Sequence, residues 1–359
     1  MEQADRLNNK PVCIIRRNYR VDGGAEVATS NYINAISQFT NVTLACENWE
    51  GPRSDEQIVQ FESAGRTRAA TYRHFVETAR EFVSTFEGFS HAHELVSGVD
   101  VIRLGDGLHR SWLEAAGWSW KALLDPFHRY KLGLEEDVLT DPRLKLIIVN
   151  SDFVGKDVVT RFGIHSSKLL LIRNIVRDEF KELPLNQPSK RSKRLVFIGS
   201  GWQRKGLSSA IRALGLLSKD VTLSIYGADR SEQKYKRLVS RLGLQERVFF
   251  RGIKKIMPKD LDSYDALVHP AIYEPFPNVA IEALSRGLAV VSTEGSGTSD
   301  FSEEQGVATC SQSDASIAEG IRWALDLSPD ERNQFRDHIV QFDSTYLQKA
   351  LKKAYQFSS

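Results

Sequence analysis

The sequence predicts a two-domain α/β protein with a doubly wound parallel sheet, and three observations carry that expectation. The chain has 359 residues, room for roughly two domains of about 150 residues each. From residue 195 onward, short apolar runs alternate cleanly with helical periodicities, as strand–helix–strand units do when helices cover both faces of a sheet. Between the halves, Leu183-Pro-Leu-Asn-Gln-Pro-Ser-Lys-Arg-Ser-Lys-Arg194 carries two prolines, is largely polar and cannot supply a core, so it marks a linker. The expected division is residues 1–185, residues 186–340, and a C-terminal helix at 341–359 that packs back on the first domain.

Val12-Cys13-Ile14-Ile15 forms the first strand, followed by a loop to Gly24 and a helix over 25–39 with Val27, Tyr32, Ile33 and Ile36 on its apolar stripe. Residues 42–46 and 101–104 are the next strands, and 146–149 is a continuous apolar run of the kind covered on both faces. The stretch 48–98 resists partition, and 82–86 fits either a strand or the end of a long helix. In the second half, strands are expected at 195–199, 221–226, 248–251, 266–269, 289–293 and 307–310. Helices fit between them at 206–217, 231–242, 257–264, 279–286 and 315–326. The segment 344–357 is amphipathic, with Leu347, Leu351 and Tyr355 spaced by four.

Composition narrows the function classes. A chain that is 41% hydrophobic and 26% charged is neither disordered nor fibrous. Forty-eight basic residues against forty-six acidic leave a net charge of +2, too balanced for a dedicated nucleic-acid binder. No apolar run approaches the roughly 20 residues that span a bilayer, and the polar start carries no secretory signal. Cys13, Cys46 and Cys310 are odd in number and far apart, as in a reduced, cytoplasmic protein rather than one with a disulfide or zinc framework. His91 and His93 alternate as metal ligands can, but no third ligand accompanies them. Trp112, Trp118 and Trp120 suit either core packing or an apolar platform.

In open parallel sheets ligands collect outside the carboxyl ends of strands, which directs attention to three loops. Asp22-Gly23-Gly24 precedes a helix, where backbone N–H groups of Gly23 and Gly24 can approach a ligand closely. Gly199-Ser-Gly-Trp-Gln-Arg-Lys-Gly206 lacks Walker spacing. Its adjacent Arg204 and Lys205 would nevertheless neutralise a diphosphate, or else form a solvated basic turn. Tyr273-Glu274-Pro-Phe-Pro-Asn-Val-Ala-Ile-Glu282 places two carboxylates around the loop after a buried strand and the first turn of a helix. Such carboxylates suit the vicinal hydroxyls of a sugar, although bare pairs at this spacing are mostly solvated.

Those residues bring a resemblance with them. Phe197-Ile-Gly-Ser-Gly-Trp-Gln-Arg-Lys-Gly206, Val268-His-Pro270 and the Glu-x7-Glu pair Glu274 and Glu282 occur in order. The stretch from about 195 to 327 resembles the donor-binding domain of the retaining family 4 glycosyltransferases. A looser likeness, through Gly23-Gly24 and Pro126-Phe-His-Arg-Tyr130, extends over the first half and points to members that build lipopolysaccharide core. The resemblance implies the GT-B fold, two Rossmann-like domains facing across a cleft. It also implies transfer of a hexose from a nucleotide diphosphate sugar, a UDP-sugar by preference, to a lipid-anchored core oligosaccharide, without cofactor or metal. By the same resemblance Arg204 and Lys205 bind the diphosphate, Glu282 holds the ribose, and Glu274 faces the donor sugar. Gly252 lies beside the nucleobase, while Phe276 and Asn278 line the donor site. Asp106 or His109 would act on the acceptor side as proton acceptor or hydrogen-bond partner. Where relatives carry an aspartate, this chain has Ala28. Among Arg66, Arg68, Arg73 and Arg80 the spacings could put part of the set on one helical face toward an anionic membrane, or else on a solvated helix, since Glu62, Glu77 and Glu81 are interleaved. Two alternatives stay open: an epimerase or phosphorylase on the same fold, and a non-catalytic nucleotide-sugar-binding protein.

Overall fold

The computed structural model describes residues 10–19, 24–50, 57–182 and 193–357. Gly23 and all but the last two residues of the proline-bearing linker lie outside them. The chain divides into two compact units: residues 1–175 with 344–359, and residues 176–343.

The first unit contains strands β1 (Val12–Ile15), β2 (Asn18–Tyr19), β3 (Val42–Cys46), β4 (Asn48–Trp49), β5 (Gln57–Gln60), β6 (Phe89–Ala92), β7 (Val101–Leu104), β8 (Leu146–Val149) and β9 (Leu169–Leu171). Seven of them form one sheet in the order β5-β3-β1-β6-β7-β8-β9, and every described pairing is parallel. Parallel strands need crossovers, so helices cover both faces and the central strands are apolar on both sides. One face packs Tyr32, Ile33 and Ile36 of helix Gly24–Ser37 with Leu347, Leu351 and Tyr355 of helix Ser344–Phe357. The other packs Phe75 and Val76 of helix Arg68–Thr85 with Phe127 and Val138 of helix Pro126–Leu139.

The stretch 48–98 resolves into β4, β5, helix Arg68–Thr85 and β6. Residues 82–85 are that helix's last turn, and Phe86 caps it. Phe-Ser-His-Ala of β6 is fully buried yet half polar, so the apolar-run cue passes over a central strand.

The second unit contains β10 (Arg194–Ile198), β11 (Thr222–Tyr226), β12 (Val248–Gly252), β13 (Ala266–His269), β14 (Ala289–Thr293) and β15 (Val307–Cys310). They pair in parallel in the order β12-β11-β10-β13-β14-β15. Ranked within the unit this is 3-2-1-4-5-6, the dinucleotide-binding order, with its switch point between β10 and β13. The first unit repeats the order and adds a seventh strand, β9, at the edge, with its switch between β1 and β6 once the short β2 and β4 are set aside. The helix expected over 257–264 shortens to Pro258–Leu261, and an unanticipated helix runs Pro329–Ile339. The Val176 amide bonds the Phe342 carbonyl at 2.9 Å, and helix Asp178–Glu182 belongs to the second unit. The boundaries therefore fall at 175/176 and 343/344, against 185/186 and 340/341 from composition.

Candidate active site

The switch point of the second unit gathers four charged or titratable groups. The loop leaving β10 is anchored by Trp202, which is fully buried. Its indole donates to the Gly199 carbonyl at 2.9 Å, and its amide donates to Asp229 at 3.0 Å. The turn then delivers Arg204 and Lys205 one after the other, just before helix Leu207–Gly215. Lys205 folds back across Gly199, whose φ is 128°. A Cβ at that position would stand 2.9 Å from Lys205 Cε, so a side chain there would displace the lysine.

Opposite them, the loop after β13 brings Glu274. Its Oε2 accepts from Arg204 Nη1 at 2.5 Å and from Lys205 Nζ at 2.8 Å. Arg204 also donates to the Tyr273 carbonyl at 3.0 Å. His269, fully buried at the end of β13, places Nε2 3.3 Å from Lys205 Nζ and 4.0 Å from Glu274. Burial alone would raise the Glu274 carboxyl, but the Lys205 and Arg204 charges outweigh it and hold it at about 2. Burial, helped by the Lys205 charge, lowers His269 to about 3 and keeps it neutral. Two cations against one carboxylate leave a positive charge in a polar, partly enclosed site, which suits a diphosphate.

Glu282 lies in helix Asn278–Ser285, buried, with Oε1 accepting from Arg177 Nε at 2.9 Å. Burial pushes this carboxyl up, against the pull of Arg177. Arg177 in turn pairs with Glu179 at 2.5 Å. Asn278 is the first residue of the helix. Phe276 is buried in the core against Phe301, at 5.9 Å between centroids. Gly252 ends β12 with φ of 69°, and its carbonyl accepts from Gly227 at 2.8 Å.

Sequence reasoning found Arg204, Lys205, Glu274 and Glu282 but missed Arg177 and Asp229. Arg177 sits beside the composition-based linker, where basic residues look solvated. In the sequence His269 stands out only within Val268-His-Pro270, though its contacts with Lys205 and Glu274 make it a member of the cluster.

The acceptor-side candidates lie in the first unit. Asp106 is 72% exposed and stands 3.5 Å from Arg16 Nη1, which also lies 3.6 Å from Glu94. His109 is half-buried; its Nε2 lies 3.0 Å from His128 Nδ1, and its ring stacks on Trp112 at 5.6 Å. Burial, with Lys131 nearby, lowers His109 to about 3. Gly24 begins helix Gly24–Ser37, while Gly23 lies outside the described residues. Ala28 faces the core. Of the arginines named for a shared face, Arg68 lies over the Phe127 ring and Arg73 over Tyr130, while Arg80, seven residues on from Arg73 in the same helix, lines a groove with Glu77 and Glu81.

Residues 179–340 match the family of glycosyl transferases group 1. Lipopolysaccharide glucosyltransferase WaaG of Escherichia coli is 29% identical over 142 residues, which cover 38% of each chain. An N-acetylgalactosaminyltransferase of Campylobacter jejuni, acting on a diphospho-undecaprenol-linked sugar by its name, is 27% identical over 154 residues. That alignment covers 43% of this chain and 42% of the relative, so the chain spans under half the length of these curated relatives. Among solved structures, WaaG matches with a TM-score of 0.80 at 18% identity, covering 96% of this chain and 99% of the other. Anabaena HepE, solved with UDP and glucose, matches with a TM-score of 0.70 at 15% identity, covering 96% and 99%. Residues 179–340 thus match the glycosyl transferases group 1 family, and the chain as a whole has the two-Rossmann GT-B fold of these solved structures.

Proposed function

We propose that this chain is a retaining glycosyltransferase that moves a hexose from a UDP-sugar to a hydroxyl of a lipid-anchored, lipopolysaccharide-type core oligosaccharide. The observation that carries it is the Arg204–Lys205–Glu274–His269 cluster at the switch point of the second unit. Arg204 and Lys205 receive the donor diphosphate and stabilise the charge that grows on it as the bond from the anomeric carbon breaks, the contribution that dominates such transfers. The acceptor oxygen bonds that carbon from the same face, and its proton passes to the departing diphosphate. Glu274 stays ionised beside the transferred sugar, and Glu282, held by Arg177, takes the ribose hydroxyls. Structures of a related fold with UDP and glucose support a UDP-sugar as donor, and the likeness to WaaG supports a core-oligosaccharide acceptor.

A lipid-anchored acceptor places the enzyme at the cytoplasmic face of a membrane. Among the described residues no helix is long and apolar enough to cross one. The first unit instead exposes Trp118, Trp120, Leu123 and Leu124 within seven residues, Trp120 at 63% and Leu124 at 75%. Such a cluster favours peripheral contact with the interface over the arginine row expected from sequence.

Calorimetric titration with UDP and a panel of UDP-hexoses tests donor binding. Mass spectrometry of the core oligosaccharide from a strain lacking this chain then tests transfer. A core shortened by one hexose, with UDP binding by the purified chain, is the expected pair of results. UDP binding with an unaltered core would mark a binding protein, and no UDP binding would end the donor assignment.

A further inference from the structure

We propose that Thr298 is a positioning residue for the Glu274 carboxylate, acting through a chain of buried hydroxyls in β14 and the loop that leaves it. The inference deepens the transferase reading and rests on it only where turnover is measured. The loops after β13 and β14 meet at a single parallel bridge between Glu274 and Ser296. There the Glu274 amide donates to the Gly295 carbonyl at 2.9 Å, and the Gly297 amide donates to the Glu274 carbonyl at 2.9 Å. Gly295 permits the approach, because a Cβ at that position would stand 2.2 Å from the Ile272 carbonyl oxygen. The backbone of Glu274 is therefore held by a different loop from the one that carries Arg204 and Lys205, which hold its side chain.

Ser292, Ser296 and Thr298 are all fully buried. Thr298 Oγ1 donates to Ser292 Oγ at 2.6 Å, and Ser292 Oγ donates to the His269 carbonyl at 3.4 Å. A hydroxyl has one proton to give. With that of Thr298 committed to Ser292, Ser296 Oγ is the donor in its 2.9 Å contact with Thr298 Oγ1. The chain thus runs one way, from Ser296 through Thr298 and Ser292 to the backbone of His269. It begins on the residue bridged to Glu274 and ends on the one whose ring lies 3.3 Å from Lys205. Thr298 is its middle member. Without that hydroxyl, Ser296 loses the acceptor of its proton and Ser292 loses its donor, and unsatisfied buried groups are costly.

The carboxylate needs this support because its partners are close. Glu274 Oε2 lies 2.5 Å from Arg204 Nη1 and 2.8 Å from Lys205 Nζ, and a reacting constellation tolerates only about 0.5 Å of displacement. Glu282 draws on other contacts, with Arg177 as its partner, so a fault in the hydroxyl chain falls on Glu274 and leaves the Glu282 side of the site in place.

Thr298→Val, which keeps the shape of the side chain, and Thr298→Ser, which keeps the hydroxyl, are compared in the full chain, each with Glu274 present and with Glu274→Gln. The first readout is urea unfolding between pH 2 and 6, which needs no substrate. The paired Glu274 carboxyl, at about 2, loses its stabilisation as pH falls. Thr298→Val should shrink that loss, because a carboxylate farther from Lys205 and Arg204 has less stabilisation to lose. Thr298→Ser should restore it, and with Glu274→Gln in place Thr298→Val should leave the pH dependence unchanged. The second readout is UDP release from a panel of UDP-hexoses, beside calorimetric titration with UDP. Thr298→Val should lower turnover about tenfold, as the loss of one hydrogen bond does, while UDP affinity holds. In the Glu274→Gln background the same substitution should change turnover little, since two residues that act through one contact are not additive. An undiminished acid limb in folded Thr298→Val, a failure of Thr298→Ser to restore it, or an equal fractional loss of turnover with and without Glu274 would overturn the proposal. Ser296→Ala, which removes the first donor of the chain, carries the same expectations if Thr298→Val does not fold. Wild-type chain that releases no UDP from any hexose of the panel would count against the donor reading alone, and the acid limb would still decide the positioning.

Discussion

At the scale of the residue, Glu274 does two things at once: it orders two cations, and it is ordered by them. Its folded-state pKa of about 2 lies below the ordinary 4.5, so the unfolded chain takes up a proton first as pH falls. The stability it contributes is present above about pH 4.5 and is lost as pH drops through about 2; the shift corresponds to about 3 kcal/mol. Glu274→Gln should flatten that limb of the acid-denaturation profile, measured by urea unfolding between pH 2 and 6; an unchanged limb would remove the pairing. Arg204→Ala or Lys205→Ala should lower turnover by about 2–4 kcal/mol of transition-state stabilisation while the chain stays folded, since both side chains lie on a loop. Wild-type kinetics in either folded variant would end the diphosphate role. Glu282 behaves differently, because burial raises its carboxyl against the opposing pull of Arg177, which it accepts from at 2.9 Å. Arg177→Met should therefore weaken UDP in calorimetric titration much as Glu282→Ala does, whereas Glu274→Ala should mainly slow turnover of the intact nucleotide sugar. An Arg177 variant with wild-type UDP affinity would show that Glu282 needs no partner.

At the scale of the element, legibility followed how strongly local pattern and burial agreed. The strands β10, β13, β14 and β15 are short apolar runs bounded by glycine, proline or polar residues, and their expected ranges nearly coincide with those found. Glu274 on the loop and Glu282 inside the following helix lie as the sequence pattern places them, because strand, loop and helix each carry their own signal. Strand β6 was not legible, since its serine and histidine are buried through tertiary partners, Asp100 for Ser90 and Tyr355 for His91. No local pattern announces a partner 264 residues away. Helix Pro329–Ile339 was equally silent, being mostly polar, although Ser328 and Glu331 form a capping box that could have signalled its start. The segment 118–124 was ambiguous from sequence, because tryptophan serves cores and surfaces alike; the structure leaves Trp118, Trp120, Leu123 and Leu124 exposed. Co-sedimentation with anionic vesicles should fall several-fold in a Trp120→Ala, Leu124→Asp double variant and change little in Arg73→Ala, whose guanidinium is engaged over Tyr130. The reverse ranking would return the membrane contact to the arginines.

At the scale of the whole molecule, the chain builds the same strand order twice, then returns to the first unit for its last helix. Helix Ser344–Phe357 follows the second unit in sequence, yet it buries Leu347, Leu351, Ala354 and Tyr355 against the first unit's sheet and helix Gly24–Ser37. Its four-residue apolar spacing was visible in the sequence, but the partner was not, because periodicity specifies a face and never what covers it. The helix also supplies Tyr355 to His91 of β6, so it covers a buried polar position as well as an apolar one. Leu351 is fully buried, and Leu351→Ala should cost about 2–5 kcal/mol through lost burial and a residual cavity. That loss belongs to the first unit alone. Hydrogen exchange should accelerate over residues 24–37 and 89–104, while residues 278–285, held in the second unit around Glu282, keep wild-type protection with UDP bound. Matching acceleration in both regions would mean that the two units unfold as one cooperative body, and the last helix would then be a support of the donor site as much as of the first sheet.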